Sequence, residues 1–223
     1  MARGLYITGT DTGVGKTLVS VAMLHALRSN GRRAIGMKPV ASGCERIPEG
    51  WRNDDALALQ AASDPRPDYA LVNPFALPDA TAPTIAAARA GISITLAPIL
   101  AAYQRFASEA DQVVVEGVGG WLAPLADGIE QSDLVRALDL DVVLVVAMRL
   151  GCLNHARLSA RAIVGDGCRL VGWVANAIAE PMEFAEAYFD AVQQALAVPC
   201  LGRLPFAPGE TAATLAVHLR VPA

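Results

Sequence analysis

Short apolar runs alternate with helix-length segments along the whole chain. The runs cover residues 4–8, 34–37, 112–115, 142–147, 170–175 and 199–204, each of strand length and bounded by turn residues. Between them, residues 16–29, 54–62, 96–110, 132–137, 154–164 and 182–197 carry helical patterns, several rich in Ala and Leu. This alternation predicts βαβ units and an α/β fold: a mostly parallel central sheet of about seven strands flanked by helices. In open sheets of this kind ligands bind past the carboxyl ends of the strands, so functional residues are expected there. A first and second strand lying side by side would bring Lys38 out beside the loop that follows the first. Residues 63–84, with their Pro and Asp, break the pattern and read as an irregular surface excursion. No composition break or repeat divides the chain, which predicts one domain over residues 1–223.

Composition sharpens this picture. Hydrophobic residues make up 53% of the chain and charged residues 18%, which suits strands covered on both faces. The formal net charge is −4 with no block of Lys or Arg, so neither nucleic acid nor an anionic membrane finds an electrostatic footprint. The mean hydropathy is +0.37. Even so, no apolar run approaches the roughly 18–20 residues of a spanning helix. The stretch Met1-Ala2-Arg3-Gly4 leads at once into Leu5-Tyr6-Ile7, too short for a secretory signal, and a cytoplasmic location is expected. Cys44, Cys152, Cys168 and Cys200 lie far apart without a CxxC pair and read as reduced thiols.

The strongest chemical signal follows the first strand: Gly9-Thr10-Asp11-Thr12-Gly13-Val14-Gly15-Lys16-Thr17, leading into a helix. Strand, glycine loop and helix in this order make a phosphate site. The glycines let backbone N–H groups approach, the helix N-terminus adds positive potential, Lys16 meets the outer phosphates and the Thr17 hydroxyl can ligate magnesium. The usual spacing leaves four residues between the first Gly and Gly-Lys-Thr. Here Thr10 occupies that first position and Gly9 stands one residue early.

Two further places suit a triphosphate. Lys38, at the end of the second strand, offers an ammonium to an anion, and Ser42 offers a hydroxyl in the same loop. Magnesium held with a triphosphate takes a Ser/Thr hydroxyl and one or two carboxylates, with phosphate oxygens and water completing the shell. Glu116 ends the third apolar run and is followed by Gly117-Val118-Gly119-Gly120, the situation of a Walker-B carboxylate. Asp54 and Asp55 begin a helix, where either could ligate metal or complement the dipole.

Together with the phosphate loop, the segments Lys38-Pro39-Val40-Ala41-Ser42-Gly43, Asn53-Asp54-Asp55-Ala56-Leu57, Val115-Glu116-Gly117-Val118-Gly119-Gly120-Trp121 and Leu150-Gly151-Cys152-Leu153-Asn154-His155 occur in order. In this the chain resembles, nearly end to end, the ATP-dependent dethiobiotin synthetases, P-loop NTPases whose nine-residue loop has this same early glycine. The resemblance implies a biotin-biosynthesis ligase with ATP as co-substrate and Mg2+ as cofactor. It would carboxylate 7,8-diaminononanoate with carbon dioxide or bicarbonate and close the ring to dethiobiotin, releasing ADP and phosphate.

Carried over by position, the resemblance implies that Lys38 is the catalytic lysine and that Lys16 serves the phosphates. Thr17, Asp55 and Glu116 become the metal ligands, which selects Asp55 over Asp54. Gly13, Val14, Gly15, Lys16, Thr17 and Leu18, with Gly117, Val118 and Gly119, fall at the nucleotide. Asn176, Ala177, Pro205, Phe206, Ala207 and Glu210 fall at its base and ribose. Ala177 stands where the family often has Asp. Ser42 and Gly119 are implied at the diamine, and Cys152 and Asn154 at the substrate carboxylate, reached across a homodimer interface.

Two other P-loop readings compete. A partitioning or metal-insertion ATPase switch often carries a lysine early in the loop, where Gly9-Thr10-Asp11-Thr12 has none. An amidating enzyme of corrin synthesis would need a glutaminase domain, for which the chain ends too soon.

Overall fold

Valine, isoleucine and leucine dominate the apolar runs, and each run becomes a strand because its side chains find a hydrophobic layer on either face. A computed structural model describes residues 3–180 and 182–222. Met1 and Ala2, on which the reading of the N-terminal stretch partly rests, lie outside the described residues.

In chain order the elements are β1 (Arg3–Gly9), α1 (Lys16–Ser29), β2 (Ala34–Met37), β3 (Val40–Ser42), β4 (Glu45–Ile47), β5 (Gly50–Arg52), α2 (Asp54–Ala62), α3 (Tyr69–Val72) and β6 (Phe75–Leu77). There follow α4 (Pro83–Ala90), α5 (Leu96–Glu109), β7 (Gln112–Gly120), α6 (Gln131–Ala137), β8 (Asp141–Ala147), α7 (Cys152–Gly165), β9 (Arg169–Asn176), α8 (Ala185–Ala195), β10 (Cys200–Leu204) and α9 (Ala212–Leu215). A 3-10 turn, Ala216–His218, comes last.

The main sheet has six strands in the order β10-β9-β8-β1-β7-β2, every pair parallel. This corrects the expected count of about seven: β3 with β6, and β4 with β5, form separate two-stranded sheets. A second correction concerns neighbours. β7 lies between β1 and β2, so Lys38 does not leave the sheet from a strand adjoining the phosphate loop.

Alternate residues sort cleanly between two faces. Tyr6, Val113, Val115, Val142, Leu144 and Trp173 join one core cluster, with Ile99, Phe106, Leu134 and Val192 from α5, α6 and α8. Leu5, Ile7, Val114, Val143 and Val174 join the other, with Val19, Met23, Leu24 and Leu27 of α1 and Leu215 of α9. Each fully buried side chain of this size contributes about 1.5–3 kcal/mol, so this two-sided burial holds β1, and the loop after it, rigidly in mid-sheet. Among the described residues no helix is long and apolar enough to cross a membrane. The four cysteines are unpaired, and all but Cys200 are buried.

Residues 63–84 are not a surface excursion. Tyr69, Val72 and Leu77 are buried in the first cluster, and β6 pairs with β3 in parallel. Short elements of three or four residues leave little periodic signal, which is why the segment looked irregular.

Candidate functional site

The phosphate loop hangs from the centre of the sheet. Gly9, the early glycine, still belongs to β1, where it pairs with Gly120. The loop proper therefore starts at Thr10, whose N–H donates to the Val145 carbonyl at 3.0 Å. Asp11 accepts from the Thr12 N–H and from the Arg149 guanidinium, both at 2.7 Å, and these hold its carboxyl below the usual range. Gly15 caps α1 at φ 87°, a left-handed position where a Cβ would also meet Asn176 Nδ2 at 2.1 Å. Lys16 donates to the Asp11 carbonyl at 3.0 Å. Burial, reinforced by the charge of Lys38, pulls the Lys16 ammonium down to about 8.

Lys38 sits in the turn after β2, clamped by its backbone. Its N–H donates to the Val72 carbonyl at 2.8 Å, and its carbonyl accepts from Asn73 Nδ2 at 2.7 Å. The segment around α3 thus fixes where this lysine begins. Its ammonium donates to Glu116 Oε1 at 2.5 Å, Asp55 Oδ2 at 3.1 Å and the Gly117 carbonyl at 3.2 Å. Thr17 Oγ1 donates to the same Glu116 oxygen at 2.9 Å. Lys38 is 4% exposed and Glu116 1%, while the Asp55 side chain remains 42% exposed. Burial alone would lower Lys38, but the Glu116 and Asp55 charges outweigh it and hold the ammonium above the ordinary lysine value. Burial likewise works against the Asp55 carboxylate, and Lys38 more than compensates, leaving its carboxyl below the usual range.

The remaining Glu116 oxygen, Oε2, is buried without a partner. Among the described residues no cluster of three or more His, Cys, Asp and Glu side chains forms. The local donor set is therefore two carboxylates and the Thr17 hydroxyl. β7 continues past Glu116 to Gly120, so Glu116 projects from mid-strand and not, as the sequence suggested, from a strand end. Ser42 is likewise the last residue of β3 and not part of a loop. Asn53 caps α2, accepting from the Ala56 N–H at 3.2 Å, and this puts Asp55 on the first turn, facing Lys38.

A cleft of about 700 Å³ opens over this cluster. It collects Gly13, Gly15, Lys16 and Thr17, then Lys38 and Ser42, then Asp55, Glu116, Val118 and Gly119. Thr12 and Asn53, which fall in the quoted motifs without an assigned role, line it too, as do Thr81 and Ala123, which no motif marks. Pro83 at the first turn of α4 was the available signal for the Thr81 wall, since proline there marks a helix start. Val14 and Leu18 pack into the second core cluster instead of lining the cleft.

A second depression, about 400 Å³, is lined by Ala177, Pro205 and Phe206 with Met148, Phe189 and Arg203. Asn176 bridges it to the phosphate loop: Nδ2 donates to the Val14 carbonyl at 2.8 Å, while Oδ1 is buried without a partner. Ala207 packs on the second core cluster, and Glu210 is exposed outside the depression. Cys152 and Asn154 open α7, the first buried and the second exposed, and line neither cavity. Burial raises the Cys152 thiol.

Residues 3–214 match the sequence family described as an AAA domain. Proteins named ATP-dependent dethiobiotin synthetase BioD are similar over nearly the whole length. One from Xanthomonas euvesicatoria is 59% identical over 97% of each chain. One from Xylella fastidiosa is 58% identical over 96% of this chain and 95% of the other. The chain belongs to the dethiobiotin synthetase family. Solved structures add the fold alone. A ParA family ATPase from Chlorobium tepidum has TM-score 0.58 at 16% identity, covering 98% of this chain and 100% of the other. The septum site-determining protein MinD from Pyrococcus horikoshii has TM-score 0.55 at 14% identity, covering 96% and 86%. Membership of the dethiobiotin synthetase family decides between readings that the P-loop fold leaves equal.

Proposed function

We infer that the chain is an ATP-dependent dethiobiotin synthetase of biotin biosynthesis, working as a single P-loop domain over residues 1–223 in the cytoplasm. The observation that carries this beyond family membership is Lys38. It is a buried ammonium held against Glu116 and Asp55, in the same cleft as Lys16 and Thr17 of the phosphate loop. Carbon dioxide adds to one amine of 7,8-diaminononanoate with loss of a proton. A carbamate oxygen attacks the γ-phosphorus of ATP and expels ADP. The second amine then attacks the carbamoyl carbon, forms the cyclic urea and expels phosphate.

Both reactants of the middle step are anions. Catalysis of phosphoryl transfer is mainly placement and charge stabilisation, and two lysines supply the charge. Lys16 belongs to the outer phosphates, Lys38 to the carbamate and the transferring group. Thr17, Asp55 and Glu116 would hold magnesium. The unpartnered Glu116 Oε2 and the small donor set fit an ion that takes its other ligands from phosphate and water. Bound there, magnesium neutralises phosphate charge. Glu116 and Asp55 otherwise keep Lys38 as their counter-ion. Ser42 and Gly119 serve the diamine.

The base lies in the depression of Ala177, Pro205 and Phe206; Asn176, next to Ala177 in the chain, has a buried Oδ1 without a partner that can accept from an exocyclic amino group. Ala207 and Glu210 complete the base and ribose contacts at its edge. Cys152 and Asn154, away from both cavities in one protomer, act on the substrate carboxylate of a second copy.

Incubation with ATP, magnesium, bicarbonate and 7,8-diaminononanoate should yield ADP and dethiobiotin together. ADP release that ignores the diamine would sink the ligase reading.

A further inference from the structure

Gln131 is the first residue of α6 and is completely buried. Its Nε2 lies at hydrogen-bond distance from four carbonyls: Val118 at 3.1 Å, Gly120 at 2.6 Å, Trp121 at 3.1 Å and Ala123 at 2.9 Å. A primary amide has two hydrogens, so four acceptors converge on a donor that must be shared among them. Its Oε1 accepts from the Tyr6 hydroxyl at 2.7 Å, which fixes which end of the amide faces the carbonyls. Tyr6 is itself fully buried in β1. The capping box of Glu130 and Asp133 then anchors the start of α6, with the Glu130 N–H donating to Asp133 at 2.9 Å.

The turn gathered around this amide carries the cleft. Val118, Gly119 and Ala123 line it, and the Gly117 carbonyl accepts from Lys38. Gly117 passes so close that an added Cβ would meet Gln131 Oε1 at 2.5 Å and the Tyr6 oxygen at 2.7 Å. The four bonds are buried at Val118 and Trp121 and part-buried at Gly120 and Ala123, and Gly120 also accepts from the Ala123 N–H, at 3.0 Å; no other side-chain donor meets these carbonyls among the hydrogen bonds of the described residues. Left unmet, each costs free energy, and the turn would open to reach solvent.

We propose that Gln131, oriented by Tyr6, is a positioning residue that shapes the Gly117–Ala123 turn and through it sets the Lys38 ammonium and the diamine-facing wall of the cleft. This rests on the synthetase reading above. Gln131 lines neither the cleft nor the base depression. Its effect reaches the chemistry through the Gly117 carbonyl and Gly119. The base depression lies elsewhere and shares none of these residues.

The test is steady-state kinetics with both substrates, together with ATP binding in the absence of diamine. In Gln131→Met the length is kept and both donors are lost. We expect kcat to fall about tenfold to a hundredfold and the diamine KM to rise, with ATP affinity within about threefold of the parent, as for a misplacement of roughly 1 Å. Tyr6→Phe keeps the ring and the amide but frees Oε1, and should show the same split to a smaller degree. A folded Gln131→Met protein with parental kcat and diamine KM overturns the proposal. Should that variant fail to fold, Tyr6→Phe decides, and parental parameters there overturn it equally. If the parent itself makes no dethiobiotin, the synthetase reading has failed and not the role of Gln131.

Discussion

Lys38 and Lys16 are both buried, yet the net effect on each runs in opposite directions, and that difference assigns their work. Lys38 has two carboxylate partners and stays charged throughout the neutral range. Replacing it with Gln should lower kcat by roughly 10²–10³-fold, the scale of losing one preorganised donor to a developing anion. Nucleotide affinity should stay within several-fold, and its disappearance in a binding titration would mean that Lys38 is a nucleotide contact. Lys38→Met should also cost roughly 3–5 kcal/mol of stability, because Glu116 is left charged and unpaired in the interior. Adding Glu116→Gln should recover much of that loss in thermal unfolding. Lys16 behaves differently, since no carboxylate is bonded to it and its ammonium is pulled down to about 8. Above that pH the free protein holds Lys16 neutral, and a triphosphate must drive a proton back on. Triphosphate affinity should therefore fall as pH rises through about 8. Calorimetry in two buffers of different ionisation enthalpy should show proton uptake there. No uptake would mean that Lys16 is charged throughout.

At the scale of elements, α2 shows how a cap becomes part of a site. Asn53 accepts from the Ala56 N–H and donates its own backbone N–H to the Tyr69 hydroxyl at 2.8 Å, so the first turn of α2 has one orientation. Asn53→Ala should cost about 1 kcal/mol in urea unfolding and Asn53→Asp much less, because Asp keeps the capping oxygen. A cost from Asn53→Asp equal to that of Asn53→Ala would show that the cap is not what holds the turn. This element was only half legible in the sequence. Its span, residues 54–62, follows from its richness in the helix formers Ala and Leu, but whether Asp54 or Asp55 faces inward depends on the cap. The strands were legible for a similar reason: unbroken apolar runs belong to two-sided burial, and all six became strands. Their order was not, because nothing within a run encodes its neighbour. β7 therefore entered between β1 and β2 unannounced. Lys38 still reaches the cleft, carried by its long side chain and the clamp from Val72 and Asn73. Gln131 left no signal at all, since a polar residue at the start of a helix reads as surface until the four carbonyls around it are placed.

The whole molecule leaves one face unexplained. Leu150 is 79% exposed just before α7, and Leu158 on that helix is 57% exposed, two large apolar side chains left to water. Asn154 and Leu158, four residues apart on α7, share a helical face, and Leu150 precedes the left-handed Gly151 that caps the helix. A second copy covering this face would bury the leucines and, on the synthetase reading, carry Asn154 and the start of α7 to the partner's cleft. Light scattering should then give twice the 23.3 kDa chain mass. Leu150→Asp with Leu158→Asp should yield a monomer, since charges placed at the centre of an apolar contact are strongly disfavoured. That monomer should bind ATP as the parent does, because the residues lining the phosphate loop and the depression of Ala177, Pro205 and Phe206 all come from one chain. Its diamine KM should rise by about tenfold or more, the cost of roughly 1.4 kcal/mol or more of lost carboxylate binding. A monomer that keeps the parental diamine KM would show the site to be complete in one protomer. A variant that remains dimeric would place the interface on another face.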